Sequence, residues 1–142
     1  MPVRTFLKEM NKHAVNLGMY DTFYDSPHGL SNERNFSTAY DVCRLTQECM
    51  KIPIFRQVVN TKTYETKALG VQDNSGFGRV QTKYKWESTN KLLGCFDGLI
   101  GSKTGITASA GPCFSGYFEK DEYKLALVLC RSKTMEIRWI EI

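Results

Sequence analysis

The stretch from Tyr123 to Arg131, YKLALVLCR, constrains the fold more than any other segment. Successive side chains of a strand point to opposite faces of its sheet. Leu125, Leu127 and Leu129 then share one face, and Ala126, Val128 and Cys130 share the other. A strand apolar on both faces is covered on both, usually by helices. The chain is therefore expected to be an α/β sandwich with this strand well inside the sheet. Two further strands are expected before it, at Gly98–Thr104 and Pro112–Phe118, with Glu119-Lys120-Asp121-Glu122 turning the second into the third as a hairpin.

The first half reads differently. Phe6, Met10, Ala14 and Leu17 recur at helical spacing, so Val3–Leu17 is expected as an amphipathic helix that Pro2 opens and Gly18 stops. Ser37 is the expected N-cap of a second helix, Thr38 to about Met50, which Pro53 ends. Phe55–Glu65, rich in Val and Thr, reads as extended, and Ala68–Lys83 as a loop or loose hairpin. Within the latter, Phe77 between Gly76 and Gly78 reads as a flexible loop and not a phosphate cradle. The expectation is a single domain over residues 1–142, with a helical part (1–53), an extended and loop part (54–97), and sheet strands with the start of a last helix (98–142).

Composition removes several function classes. Of 142 residues, 42% are hydrophobic and 24% charged, which argues against disorder. The net charge of +4 is spread along the chain, without the clustered basic stripe of a nucleic-acid binder. No apolar run opens the chain as a signal peptide would, and none approaches the length needed to span a bilayer. The five cysteines, Cys43, Cys49, Cys95, Cys113 and Cys130, include no C-x-x-C pair, so reduced thiols are expected rather than a zinc site. No metal or other cofactor is expected.

One short motif carries chemistry. Lys103-Thr104-Gly105 lies on the first strand of the last third. Lys103 offers a point charge that can polarise a serine hydroxyl or attract a carboxylate. Thr104 offers a hydroxyl donor. Gly105 lets another backbone lie against the strand edge, where a peptide can bind by strand addition. The backbone N–H of Ile106 can face a developing oxyanion. Alone, such a triplet also suits a solvated lysine guarding an edge strand.

Its neighbours give it meaning. MNKHAVNLGMYDTFYDSPHGL (10–30), STAYDV (37–42), YKWESTNKLL (84–93), GLIGSKTGITASAGPC (98–113) and KLALVL (124–129) resemble, in order and spacing, the serine-type D-alanyl-D-alanine carboxypeptidases. These are penicillin-binding proteins of peptidase family S11, in the β-lactamase/DD-peptidase superfamily. The resemblance implies a three-layer αβα sandwich around an antiparallel sheet. It implies removal of the terminal D-Ala from peptidoglycan stem peptides through an acyl-enzyme, usually by exported proteins. Lys103, Thr104 and Gly105 match the family's third motif, with Lys103 catalytic, the Ile106 amide as oxyanion donor, and Thr104 and Gly105 in substrate binding. Arg138, 35 residues after Lys103, falls where the family places an arginine for the substrate carboxylate.

The family's other two motifs are a Ser-x-x-Lys nucleophile and a Ser-x-Asn. Only Ser88 has a lysine three positions on, in Ser88-Thr89-Asn90-Lys91, and the same serine also reads as Ser-x-Asn. One serine cannot serve as both. The stretch matches a family segment just before the third motif, where no nucleophile sits. The sequence is thus expected to begin after the nucleophile helix and the first strands, and the chain to be inert alone, because general-base activation is what makes serine reactive. Strand 123–131 would then show an unpaired apolar edge, calling for a partner, a second copy or the missing half. The alternatives are an inactive assembly subunit and a module that binds D-Ala-D-Ala peptides without cutting them. His13 and His28 are the only histidines, and His28, in SPHGL, reads as a structural turn residue rather than a catalytic base.

Overall fold

The computed structural model describes residues 2–71 and 79–142. Three helices lead: α1 (Val3–Asn16), α2 (Ala39–Cys49) and α3 (Pro53–Asn60). A two-stranded antiparallel hairpin follows, β1 (Thr63–Val71) with β2 (Arg79–Glu87), in register from Thr63 opposite Glu87 to Val71 opposite Arg79. Of the expected loop or loose hairpin at 68–83, residues 68–71 and 79–83 belong to this regular ladder; the rest, with the Gly76-Phe77-Gly78 reading, lies outside the described residues. The last third is a three-stranded antiparallel sheet of β3 (Leu99–Thr107), β4 (Gly111–Lys120) and β5 (Tyr123–Leu129), in that spatial order. A 3₁₀ turn, Ile137–Trp139, closes the chain.

Helices and sheet pack as layers. On one face, α2 lies against β4 and β5: Thr46 Oγ1 and Ser115 Oγ are 2.6 Å apart, and Cys43 Sγ reaches the Ala126 carbonyl at 3.7 Å. On the same face α3 meets β3, where Gly101 admits Val59. On the other face Phe114, the largest fully buried side chain, meets Trp139 of the 3₁₀ turn edge-on at 5.8 Å. Polar clamps fix the turn-rich segment after α1. Asn11 Nδ2 donates to the Tyr24 carbonyl at 2.8 Å, and its Oδ1 accepts the Tyr24 N–H at 2.7 Å. Buried Asp41 accepts from Asp21 N and Thr22 Oγ1.

Three sequence expectations are corrected. The N-cap of α2 is Thr38, whose Oγ1 accepts the Asp41 N–H at 3.1 Å; Ser37 instead meets Thr22. Pro53 does not merely end α2. It opens α3 at a first-turn position, where its missing N–H has no helical partner to lose. Residues 55–60 are accordingly helical rather than extended. The Val and Thr preference for strands is weak, and packing of Val59 on Gly101 with Arg56 on Glu119 overrides it. Finally, β5 does not lie inside the sheet of this chain. It pairs with β4 alone, its far edge bears no strand among the described residues, and Leu125 is 57% exposed. The expected open edge is what the structure shows.

Candidate active site

The β3–β4 ladder places the Lys-Thr-Gly triplet. Lys103 is opposite Ser115, Thr104 opposite Phe114, Gly105 opposite Cys113 and Ile106 opposite Pro112. Pro112 has no N–H, and its carbonyl accepts the Ser132 N–H at 2.9 Å, on the side away from β3. Ile106 and Pro112 therefore form a non-hydrogen-bonded pair, and the backbone groups of Ile106 point to the free side of β3. By the two-residue alternation those of Thr104 do too. The Lys103 ammonium donates to the Thr104 carbonyl on that side. No strand covers this side of β3 among the described residues.

A cleft of about 620 Å³ runs along this edge. Its walls include all five residues singled out from the sequence: Lys103, Thr104, Gly105, Ile106 and Arg138. No Asp or Glu lines it, whereas Lys91 adds a third cationic side chain, so the cleft favours an anionic ligand. The Thr104 hydroxyl lies 2.6 Å from that of Thr89. A second cavity, about 520 Å³, adjoins Lys103 and Thr104 on the α3 side, with Val58, Val59, Tyr64 and Trp86 as apolar walls.

Arg138 occupies an unusual place. It is 2% exposed, and its guanidinium lies over the Trp139 ring at 4.4 Å. Nη1 donates to the Cys113 carbonyl at 3.1 Å and reaches the Gly105 carbonyl at 3.5 Å. Nε has no partner, and no carboxylate pairs with this arginine among the described residues. A buried guanidinium without a counter-ion is costly unless something anionic meets it. Spacing had put Arg138 near the motif; burial and an unmatched charge were not legible from it.

Ser88 lines the second cavity together with Lys103 and Thr104. Its backbone N–H donates to the Lys62 carbonyl at 2.8 Å and its Oγ accepts the Asn90 N–H at 3.3 Å. Asn90 is buried, its Oδ1 accepts the Leu92 N–H, and Nδ2 has no partner. Ser88–Lys91 is thus a turn that stabilises itself. His28, read from the sequence as a turn residue, also lines the cleft; its Nδ1 accepts the Leu30 N–H at 3.1 Å. Nothing in its SPHGL context pointed to the cleft, since the turn reaches β3 only through tertiary packing. His13 lies elsewhere, on α1. No group of three or more His, Cys, Asp or Glu is arranged to hold a metal among the described residues. No helix is long and apolar enough to cross a membrane among them.

Known proteins resemble this chain in sequence and in fold. The sequence profile of the family Peptidase S11, D-alanyl-D-alanine carboxypeptidase, matches residues 2–134. The D-alanyl-D-alanine carboxypeptidase of Streptomyces sp. strain K15 is 37% identical over 111 residues, 78% of this chain and 36% of that protein. D-alanyl-D-alanine carboxypeptidase DacF of Bacillus subtilis is 30% identical over 135 residues, 94% of this chain and 32% of that protein. The crystal structure of the Streptomyces K15 DD-transpeptidase superposes with a TM-score of 0.81 at 32% identity, covering 96% of this chain and 50% of that one. The chain spans about a third of the length of these curated relatives. A profile match over nearly its whole length places the chain in the Peptidase S11 family of D-alanyl-D-alanine carboxypeptidases.

Proposed function

We propose that this chain carries the Lys-Thr-Gly side of a serine D-Ala-D-Ala carboxypeptidase site. The observation that carries the reading is the convergence of Lys103, Thr104, Gly105, Ile106 and Arg138 on one acid-free cleft along a free strand edge. A peptide ending in D-Ala would lie along β3 as an added strand, bonding to the outward backbone of Thr104 and Ile106. Gly105 leaves room for it. Lys103 and Arg138 supply positive charge for the terminal carboxylate, and the Thr104 hydroxyl donates to it.

The attacking serine would come from residues outside this sequence, in a longer chain or a partner. Its oxygen bonds to the peptide carbonyl carbon as its proton passes to a base. The carbonyl oxygen, now negative, meets the Ile106 N–H. Collapse breaks the C–N bond, and D-Ala leaves with the proton on its amine. Water then releases the acyl group and restores the serine. The test is intact mass spectrometry after incubation with benzylpenicillin, beside Ser88→Ala. No adduct is expected on this chain by itself; an adduct that Ser88→Ala removes would make Ser88 the nucleophile and sink the reading.

A second reading rests on β5. Its free edge, with Tyr123 73% and Leu125 57% exposed, suits a chain held in an assembly, either as an inactive structural subunit or as a peptide-binding module. Light scattering on purified protein separates these: a monodisperse monomer argues against the assembly role. Calorimetry with a peptide ending in D-Ala-D-Ala tests the binding role, and no heat of binding ends it.

A further inference from the structure

Two of the five thiols lie opposite one another at the end of the β4–β5 ladder. Lys120 and Tyr123 close the hairpin around the two-residue loop Asp121-Glu122, in which Asp121 takes a positive φ of 53°. The closing pair of such a hairpin is hydrogen-bonded, and pairs alternate from there. Glu119 is then a non-hydrogen-bonded position, and its N–H indeed turns away from β5 to the Gly98 carbonyl at 2.7 Å. Stepping by two reaches Tyr117, Ser115 and Cys113. The register, Phe114 opposite Leu129, continues by one residue to set Cys113 against Cys130.

That position has the dimensions of a disulfide. Non-hydrogen-bonded antiparallel pairs hold their Cα atoms about 4.5 Å apart with side chains on the same face, and disulfides span Cα distances of about 4.4–6.8 Å. Three contacts agree with this placement. Cys113 Sγ accepts the N–H of Arg131, the residue after Cys130, at 3.4 Å. The Cys113 carbonyl takes Arg138 rather than β5. Arg131, with φ of 56°, ends the ladder just past the pair. Partial burial, then the nearness of Cys113, pushes the Cys130 thiol up. Cys43 on α2 is the third thiol on this face, and the three are not arranged to hold a metal. Cys113 is half-buried and Cys130 exposed, so a small reagent can reach them.

We propose that Cys113 and Cys130 form a cross-strand dithiol that closes into an intrachain disulfide by exchange with a small disulfide such as oxidised glutathione. One protein thiolate attacks a glutathione sulfur and releases one glutathione thiol. The second protein thiol attacks the mixed disulfide, the protein S–S bond forms, and the second glutathione leaves. Two protein thiols are oxidised and one glutathione disulfide is reduced to two thiols. The bond would staple β5 to β4 one strand behind the Lys-Thr-Gly edge, since Cys113 is opposite Gly105 on its other side.

The test is peptide mapping. Reduced protein is incubated with oxidised glutathione, free thiols are alkylated, and trypsin digestion follows without reduction. The expected product is peptide 104–120 joined to peptide 125–131, with Cys43, Cys49 and Cys95 alkylated. A Cys43→Ser variant is expected to give the same link, and treatment in denaturant a scramble of links. Cys130 joined to Cys43, both cysteines recovered singly alkylated or glutathionylated, or an equal yield of the link in denaturant would each overturn the proposal.

Discussion

Two glycines of β3, four residues apart, should respond oppositely to the same substitution. A Cβ added at Gly101 would fall 2.5 Å from Val59 Cγ2 and 3.0 Å from the Val59 backbone carbon. The obstacle includes backbone of α3, so helix and strand must separate. Overpacking of this kind costs about 1–3 kcal/mol. A Cβ at Gly105 would meet nothing within 4 Å, and Gly105 has no positive φ. Gly105→Ala then restricts the unfolded chain without straining the folded one, which stabilises by about 0.4–1 kcal/mol. In urea, with a slope of about 2 kcal/mol per molar, Gly101→Ala should lower the midpoint by about 0.5–1.5 M and Gly105→Ala raise it by about 0.2–0.5 M. The same Gly105→Ala should weaken binding of a D-Ala-D-Ala peptide in calorimetry, because the added methyl occupies the edge where the ligand backbone would lie. Equal losses of stability in the two variants would refute the steric reasoning. Undiminished peptide binding by Gly105→Ala would refute the strand-addition reading.

Arg138→Met should lose less than about 2 kcal/mol in the same urea assay, because removing an unmatched buried charge offsets the lost bond and ring contact, while peptide affinity falls at least tenfold; a loss near 4 kcal/mol with affinity intact would make Arg138 structural. Phe114→Ala, behind Thr104, should destabilise by about 3–5 kcal/mol and flatten the near-ultraviolet dichroism that Trp139 owes to that contact. Arg56 donates to Glu119 through Nη1 and Nη2, and that hydrogen bonding holds the Glu119 carboxyl below the ordinary glutamate value of 4.5. A depressed carboxylate stabilises the fold above 4.5 and loses that contribution as pH falls through its folded value. The urea midpoints of wild type and Arg56→Gln should therefore differ above pH 4.5 and converge below it; a gap that persists into acid would show that Arg56 acts through packing.

Local rules sufficed wherever a segment's own pattern met no competing demand. Helical spacing predicted α1, alternation predicted β5, and the polar run at 119–122 predicted the hairpin that joins it to β4, because each depends on neighbours within a few residues. The placement of Lys103, Thr104 and Gly105 in succession along a strand was equally legible, since it depends on the local sequence alone. Tertiary structure decided the rest. It made 55–60 a helix, because burial of Val59 against Gly101 outweighs the strand preference of valine. It left β5 at an edge, because a strand's neighbours are set by which other strands exist, not by its own residues. It buried Arg138 without an anion, brought His28 to the cleft wall and set Cys113 against Cys130. Each of these joins residues distant in the chain, and distance across a sheet or a cleft leaves no periodic trace in the order of amino acids.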